Sequence, residues 1–201
     1  MEAINKNLIY CDLYLMYDLS SIPIYDLPEG FHYSFYQKGD ERDWSRIETS
    51  AKEFEKEEDA YKRFFQTFND HLNDLSNRCF FIEDENNKKV ATATAYCTEN
   101  HLGKVHWVAI EKECQGKKLS KPLISKTLQQ LKELGYCQAI LHTQTYTWLA
   151  TKIYLDMGFQ PIYIQEKYLG WQIIKKLTNH PSLKDIEDID EKLIYKNVKK
   201  I

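Results

Sequence analysis

The stretch that decides the fold runs from Val105 to Ile124 and reads VHWVAIEKECQGKKLSKPLI. Its first six residues are apolar except for one histidine, and they predict a β-strand that is central in a sheet and covered on both faces. A polar run with one glycine follows. Residues on one helical face then indicate an amphipathic helix that ends at Gly135; they are Leu119, Leu123, Thr127, Leu128, Leu131 and Leu134. The stretch therefore predicts a strand that turns tightly into a helix.

The loop between this strand and helix predicts an anion site. A helix start leaves backbone N–H groups unpaired, and these groups and the helix dipole attract negative charge. Gly116 permits close approach of a phosphate, Pro122 suits the first turn, and Ser120 is expected to cap the helix or to bind a phosphate oxygen. Positive charge comes from Lys117, Lys118 and Lys121. The alternative is a solvated, lysine-rich helix start that binds nothing. The phosphate loops GxxxxGK[ST] and GxGxxG do not occur in the sequence.

Composition narrows the classes of protein. The 201 residues are 43% hydrophobic, which predicts a single domain over residues 1–201, with an N-terminal strand extension (1–27) and a C-terminal tail (178–201). A net charge of -3 argues against a nucleic-acid partner, and the lack of a long apolar run argues against a membrane span. The five cysteines are odd in number and scattered, so we expect reduced thiols and no metal site. Reduced thiols, together with the lack of a signal peptide, lead us to expect a cytoplasmic location.

The rest of the chain predicts an α+β fold. Strands are expected over Leu8–Tyr17, 31–37 and 138–145, helices over 39–54, 57–75 and 148–159, a hairpin over 79–97, and one or two strands over 160–177. Asp40 is expected to cap the first helix. The tail from 178 to 201 is expected to dock as a helix, with a dimer contact as the alternative. This mixed order of elements predicts a sheet with helices on both sides.

Two separated motifs carry a family resemblance. An apolar strand end at Val108–Ile110 precedes a Gln-x-x-x-x-Ser loop at Gln115–Ser120 and a helix. Further along, Ala150 and Tyr154 precede a Gly158-Phe159 pair. Together these motifs resemble the GNAT superfamily of acyl-CoA-dependent N-acyltransferases. The resemblance implies a GNAT fold with a mixed, mostly antiparallel central sheet.

The chain departs from the pattern of that family at three positions. Lys118 stands where the family usually has glycine, Ser120 where it has glycine or alanine, and Thr147 where asparagine is common. A β-carbon at Lys118 crowds the phosphates, whereas its charge attracts them. Thr147 keeps a hydroxyl group but lacks the amide.

The resemblance implies acetyl-CoA as the cosubstrate, bound between the strands Val105–Ile110 and Gln138–Thr145. The pantetheine would pair with the first strand, the N–H of Val108 would polarise the thioester carbonyl as an oxyanion-hole donor does, and the pyrophosphate would take the loop N–H groups. The predicted coenzyme-binding residues are Val108, Ala109, Ile110, Gln115, Gly116, Lys117, Lys118, Leu119, Ser120, Lys121 and Thr147.

Two residues are predicted to move protons. Tyr154 matches the usual acid of the family in position. A phenol suits that role because its pKa of ~10 lies near the pKa of the leaving thiol. His106 aligns with a strand histidine of the serotonin N-acetyltransferase branch, and a histidine titrates where a base is useful. Strand alternation puts His106 on the same side as Val108 unless a bulge intervenes, and the family often has one. The alternative for both residues is a place in the core, and His142 is a weaker candidate for the base.

The acceptor site is expected near the first two helices. An acid-rich run there suits a cationic amine, although a solvated face at a helix start is the alternative. Its members are Glu53, Glu55, Glu57, Glu58 and Asp59. The sequence thus predicts an N-acetyltransferase, monomeric or homodimeric, in which a small-molecule amine attacks acetyl-CoA directly in a ternary complex. The alternatives are a non-catalytic acyl-CoA-binding protein and a protein or peptide N-acetyltransferase.

Overall fold

The computed structural model describes residues 4–98, 102–163 and 168–196. They group into two compact units: a central unit of residues 19–139, and a terminal unit that combines residues 1–18 with 140–201. The strands are β1 (Asp12–Asp18), β2 (His32–Phe35), β3 (Cys79–Glu83), β4 (Lys89–Cys97), β5 (Gly103–Ile110), β6 (Gln138–Gln144) and β7 (Gln160–Ile162). The α-helices are α1 (Glu41–Ser50), α2 (Glu57–Phe68), α3 (Ser120–Glu133), α4 (Trp148–Asp156) and α5 (Tyr168–Thr178).

The central unit contains an antiparallel sheet in the order β2-β3-β4-β5. Successive side chains of β3 point to opposite faces, as strand geometry requires. Phe81 packs with Trp44 and Phe64 in a cluster under α1 and α2, whereas Phe80 packs with Leu123 in a cluster under α3. Helices therefore cover both faces of the sheet, and the predicted α+β class is confirmed.

The terminal unit contains the strand order β6-β1-β7, and β1 and β7 pair antiparallel with Tyr14 opposite Ile162. Helix α5 packs closely on β1. A β-carbon added at Gly170 would lie 2.8 Å from Cys11 Cβ, so only glycine fits there without movement. Leu8 forms an isolated bridge with Tyr195, which joins the early and late parts of the chain.

The late part of the chain differs from its prediction. Strand structure was expected over 160–177, but β7 ends at Ile162, residues 164–167 lie outside the described ranges, and 168–178 form helix α5. The aromatic and β-branched residues of α5 are typical of a strand. Trp171 and Ile174, however, have helical spacing and are fully buried. The predicted tail helix is also wrong within the described residues, because only short 3-10 helices form at Pro181–Leu183 and Glu191–Leu193.

Smaller differences concern element ends and burial. The second helix stops at Phe68 and continues as a 3-10 helix, Asn69–Asn77. Asp40 occupies the cap position of α1, but its side chain accepts from the N–H of Gln37 instead of capping the helix. Strands β5 and β6 are not covered along their whole length, because several of their residues are partly exposed. In the ranges that the structure describes, no helix is both long enough and apolar enough to cross a bilayer.

Candidate active site

The loop between β5 and α3 leaves the N-terminus of the helix open. A short 3-10 helix (Lys112–Cys114) leads from the strand into the loop. Among the described residues, no protein atom accepts a hydrogen bond from the N–H groups of Gly116, Lys118, Leu119, Ser120 and Lys121. Leu119, and not Ser120, takes the cap position of α3, and it has no side chain that could cap the helix. The first turn therefore offers several N–H donors to an anion.

The backbone conformation of the loop favours glycine at two positions, although this sequence has glycine at only one of them. Gly116 has φ +81° and Lys118 has φ +64°. Both values lie in the left-handed region, which costs a residue with a β-carbon roughly 1–2 kcal/mol. Lys118 thus occupies a conformation that favours glycine, at the position where the resemblance implies one.

Three side chains shape the surroundings of this loop. Gln115 donates from Nε2 to the carbonyl of Ile110 (3.2 Å), which holds the loop against the end of β5. The Lys117 ammonium lies 3.6 Å from Cys114 Sγ and 6.0 Å from the centre of the Phe31 ring. Lys121 lies 5.4 Å from the centre of the Tyr25 ring. Two of the three predicted lysines are therefore held beside aromatic rings, where cation–π attraction stabilises them.

Glu111 anchors the start of the loop, and sequence reasoning did not identify it. It is 5% exposed, and its carboxylate pairs with Arg46 of α1 and with Lys88 of the β3–β4 turn. The Lys88 Nζ atom lies 2.7 Å from Glu111 Oε2. Its carbonyl accepts from the N–H groups of Cys114 (2.9 Å) and Gln115 (3.1 Å). One acidic residue after a strand gives no signal in the sequence, because its two cations are distant in the chain.

A β-bulge interrupts β5 where the resemblance predicted one. Thr94 pairs with His106 and Thr92 with Ala109, so two residues of β5, Trp107 and Val108, lie opposite one residue of β4. Trp107 has φ +48°, outside the usual strand region. The extra residue reverses the alternation of side chains. His106 consequently lies on the α1–α2 face, among Phe68, Tyr96 and Trp107, whereas Val108 and Ile110 pack with the cluster under α3.

Aromatic rings lie close to His106. Its ring centre lies 5.4 Å from that of Tyr96 and 5.2 Å from that of Trp107. The acidic run that was expected near the acceptor site begins beyond α1 and supplies the first turn of α2. All five acids in this run are exposed, as at an ordinary helix start.

Tyr154 belongs to the terminal unit. It lies on α4, is 7% exposed, and its ring centre is 5.7 Å from that of Phe159, which in turn is 4.8 Å from that of Tyr17. Gly158 ends this helix with φ +98°, so the spacing from Tyr154 to the Gly-Phe pair is the spacing of a real helix end.

The other two predicted residues of the terminal unit are engaged within it. The hydroxyl of Thr147 lies 2.8 Å from that of Thr143 and donates to the carbonyl of Gln144 (3.0 Å). Nε2 of His142 lies 2.8 Å from a carboxylate oxygen of Asp12. These contacts give both side chains a structural role in the terminal unit.

Comparisons with known proteins agree with this architecture. Residues 41–159, more than half of the chain, match the model of the acetyltransferase (GNAT) family. A comparison with curated protein sequences finds no match.

Solved structures of similar fold include a GCN5-related N-acetyltransferase from Sphaerobacter thermophilus, with a TM-score of 0.65 and 15% identity over 77% of this chain and 49% of that chain. A tandem GNAT protein from the clavulanic acid biosynthesis pathway has a TM-score of 0.54 and 15% identity over 79% and 51%. A GNAT-family acetyltransferase from Staphylococcus aureus Mu50 has a TM-score of 0.53 and 14% identity over 68% and 90%. The chain spans about half the length of the first two proteins. At these identities the likeness concerns the fold alone.

Proposed function

Because this chain belongs to the GNAT acetyltransferase family, we propose that it is an acyltransferase that transfers the acetyl group of acetyl-CoA to a small-molecule amine. The observation that carries the proposal is the open N-terminus of α3, which residues 111–119 connect to the bulged strand β5. We further propose that the amine attacks the thioester directly in a ternary complex, and that the protein works in the cytoplasm.

The residues of the loop suit a pyrophosphate. Five of their N–H groups, those of Gly116, Lys118, Leu119, Ser120 and Lys121, have no acceptor among the described residues, and three lysines add positive charge. We assign Gly116, Lys118, Leu119, Ser120 and Lys121 to the pyrophosphate through their backbone, and Lys117 through its charge. Gln115 would keep the loop in place through its bond to Ile110. Thr147 has its hydroxyl engaged, so it would contribute to coenzyme binding only through a change of partner.

The bulge suits the other end of the coenzyme. A bulge leaves part of the backbone outside the regular ladder, and here it does so at Trp107 and Val108. We assign the backbone of Val108, Ala109 and Ile110 to the pantetheine, with the N–H of Val108 directed at the thioester carbonyl. A donor in that position would stabilise the negative charge that develops on the oxygen in the transition state.

Two proton transfers complete the reaction. The attacking amine must be neutral, and we assign its proton to His106, directly or through water. The departing thiolate needs a proton, and we assign that role to Tyr154. In each transfer a general acid or base acts on an atom whose charge changes in the transition state. Such catalysis raises the rate roughly 10²–10⁴-fold.

Release of free coenzyme A from acetyl-CoA, measured across a panel of small amines, tests the proposal. We expect amine-dependent release that follows Michaelis–Menten behaviour for at least one member of the panel. Binding of acetyl-CoA without release for any amine would instead favour a non-catalytic acyl-CoA-binding protein. Release with peptides, but not with small amines, would favour a protein or peptide N-acetyltransferase.

A further inference from the structure

A buried carboxylate lies where the chain leaves β5 and enters the β5–α3 loop (residues 111–119). It belongs to Glu111, which is only 5% exposed. Its negative charge opposes the binding of an anion to the same loop, because like charges repel. Glutamate is also rarely buried unless a cation accompanies it. Glu111 therefore needs a role other than attraction of the ligand.

Two cations from different elements neutralise this carboxylate. Oε1 pairs with the guanidinium of Arg46 on α1, and Oε2 lies 2.7 Å from Nζ of Lys88 in the β3–β4 turn. Arg46 also pairs with Asp43, with an oxygen 2.6 Å from Nη2. The formal charges of these two acids and two cations cancel. The cluster thus connects α1 and the β3–β4 turn to the loop without adding net charge to it.

Helix α1 holds the start of the loop at a second point. Ser50, about one turn after Arg46, accepts a hydrogen bond from the backbone N–H of Lys112 (3.0 Å). Arg46 itself donates from Nη2 to the carbonyl of Lys89 (2.9 Å). The helix therefore holds two consecutive residues of the loop, Glu111 through its side chain and Lys112 through its backbone.

The backbone carries this position onward to the unpaired N–H groups. The N–H of Glu111 donates to the carbonyl of Val90 (2.8 Å), and its carbonyl accepts from Cys114 and Gln115. Gly116, the first residue with an unpaired N–H, follows directly. Hydrogen bonds weaken steeply when the donor is turned away from its acceptor. A shift at Glu111 would consequently misdirect the N–H groups that we assign to the pyrophosphate.

Resting on the proposed function, we propose that Glu111, held by Arg46, is a positioning residue for the pyrophosphate of acetyl-CoA. It acts through the loop, without touching the coenzyme. A carboxylate suits this role because each of its two oxygens accepts from one cation, whereas an amide has a single acceptor oxygen. The protein would thereby favour acetyl-CoA over an acetyl thioester that lacks phosphate.

Two thioesters separate this role from a general effect on stability. Acetyl-CoA carries the pyrophosphate, whereas S-acetylpantetheine carries the acetyl group and the pantetheine without phosphate. Nuclear magnetic resonance titrations of the protein measure both dissociation constants. Glu111→Gln should weaken acetyl-CoA on the order of 10–100-fold, because charge-assisted hydrogen bonds to the pyrophosphate lose their alignment. The dissociation constant of S-acetylpantetheine should stay unchanged.

Asp43→Asn is the matched control. Asp43 pairs with the same arginine from within α1, so the variant also removes one charge from the cluster. It should bind both thioesters as the wild-type protein does. Arg46→Lys keeps the positive charge but loses the forked arrangement of donors, and it should weaken acetyl-CoA selectively, as Glu111→Gln does. It also replaces Glu111→Gln if that variant does not fold.

Three results would overturn the inference. The first is an unchanged affinity for acetyl-CoA in folded Glu111→Gln. The second is an equal loss for both thioesters in that variant, which would show a general structural role. The third is the same selective loss in Asp43→Asn, which would show that any change of charge in the cluster has this effect.

The wild-type protein tests the proposed function separately. Failure to bind either thioester would remove the coenzyme assignment. The amide chemical shifts of Gly116 and Lys118 in the ligand-free protein would then still decide whether Glu111 sets the loop. They should change in Glu111→Gln and stay as they are in Asp43→Asn. Unchanged shifts in Glu111→Gln would remove the role of Glu111 and leave the acetyltransferase assignment intact.

Discussion

Lys118 shows how one residue records a departure from the family pattern. Its φ of +64° favours glycine, so Lys118→Gly should remove about 1–2 kcal/mol of strain and add roughly 0.5–1 kcal/mol of unfolded-state entropy. The two terms oppose each other, so we expect urea unfolding to show a variant between about 0 and 1.5 kcal/mol more stable than wild type. Lys117→Gly is the matched control, because Lys117 is not at positive φ and should lose stability. Equal losses in both variants would contradict the argument.

Tyr154 carries the proposed acid. Tyr154→Phe keeps the ring contact with Phe159, so the protein should fold and bind acetyl-CoA almost as well as wild type. Turnover should fall on the order of 10²–10⁴-fold, because the lost bond forms mainly in the transition state. Affinity and turnover are to be measured on one preparation, with Tyr163→Phe, a half-exposed tyrosine, as the control. Loss of stability with unchanged specific activity would make Tyr154 a structural residue.

His106 carries the proposed base. His106→Gln should lower the rate by roughly 10²–10⁴-fold and remove the acidic limb of the pH–rate profile, because the remaining amide cannot accept the proton. His142→Gln provides the comparison, since the structure pairs His142 with Asp12. The same losses in His142→Gln, with an unchanged profile in His106→Gln, would transfer the role of base to the other strand.

At the scale of elements, a polar cluster joins β2, β3 and β4 at the edge of the central sheet. Burial alone would raise the pKa of Glu83, but a hydrogen bond from Ser34 and the nearby Lys89 ammonium (3.2 Å) bring it below its usual value. The ionised form of Glu83 is therefore stabilised in the folded protein.

The pH dependence follows from that direction. A folded pKa below the unfolded value contributes stability that is fully present above the unfolded pKa of ~4.3 and is lost as the pH falls through the folded pKa. Glu83→Gln should thus be less stable than wild type near neutral pH, and the difference should shrink near pH ~3 in urea unfolding. Glu85→Gln, in the exposed hairpin turn, should show no such trend. A difference that does not change with pH would contradict the assignment.

At the scale of the whole molecule, the coenzyme should stabilise the fold. A ligand at about 100 times its dissociation constant adds about 2.7 kcal/mol, which for a chain of this length corresponds to a rise in Tm of roughly 5–10 °C. Thermal unfolding with acetyl-CoA, and with acetate as the control, measures this effect. No shift at millimolar acetyl-CoA would count against the loop as a pyrophosphate site.

Local interactions explain what the sequence alone determined about this protein. The strand, loop and helix from Val105 onward, the hairpin turn at Glu85–Asn87, and the helix ends at Gly135 and Gly158 all appear as predicted. Each depends on contacts within a few residues: apolar periodicity, missing N–H partners at a helix start, or a left-handed φ. The α+β class follows from the order of such elements, and so does the family resemblance.

Only the tertiary structure decided which faces the side chains occupy. The bulge that moves His106 away from the face of Val108 depends on pairing with β4, and the burial of Glu48 depends on the packing of α1 against the central sheet. Glu111 became visible only when Arg46 and Lys88 were brought to it. Likewise α5, which reads as a strand, is a helix because Gly170 and Trp171 fit closely against their neighbours in the terminal unit. These outcomes depend on contacts between residues that are far apart in the chain.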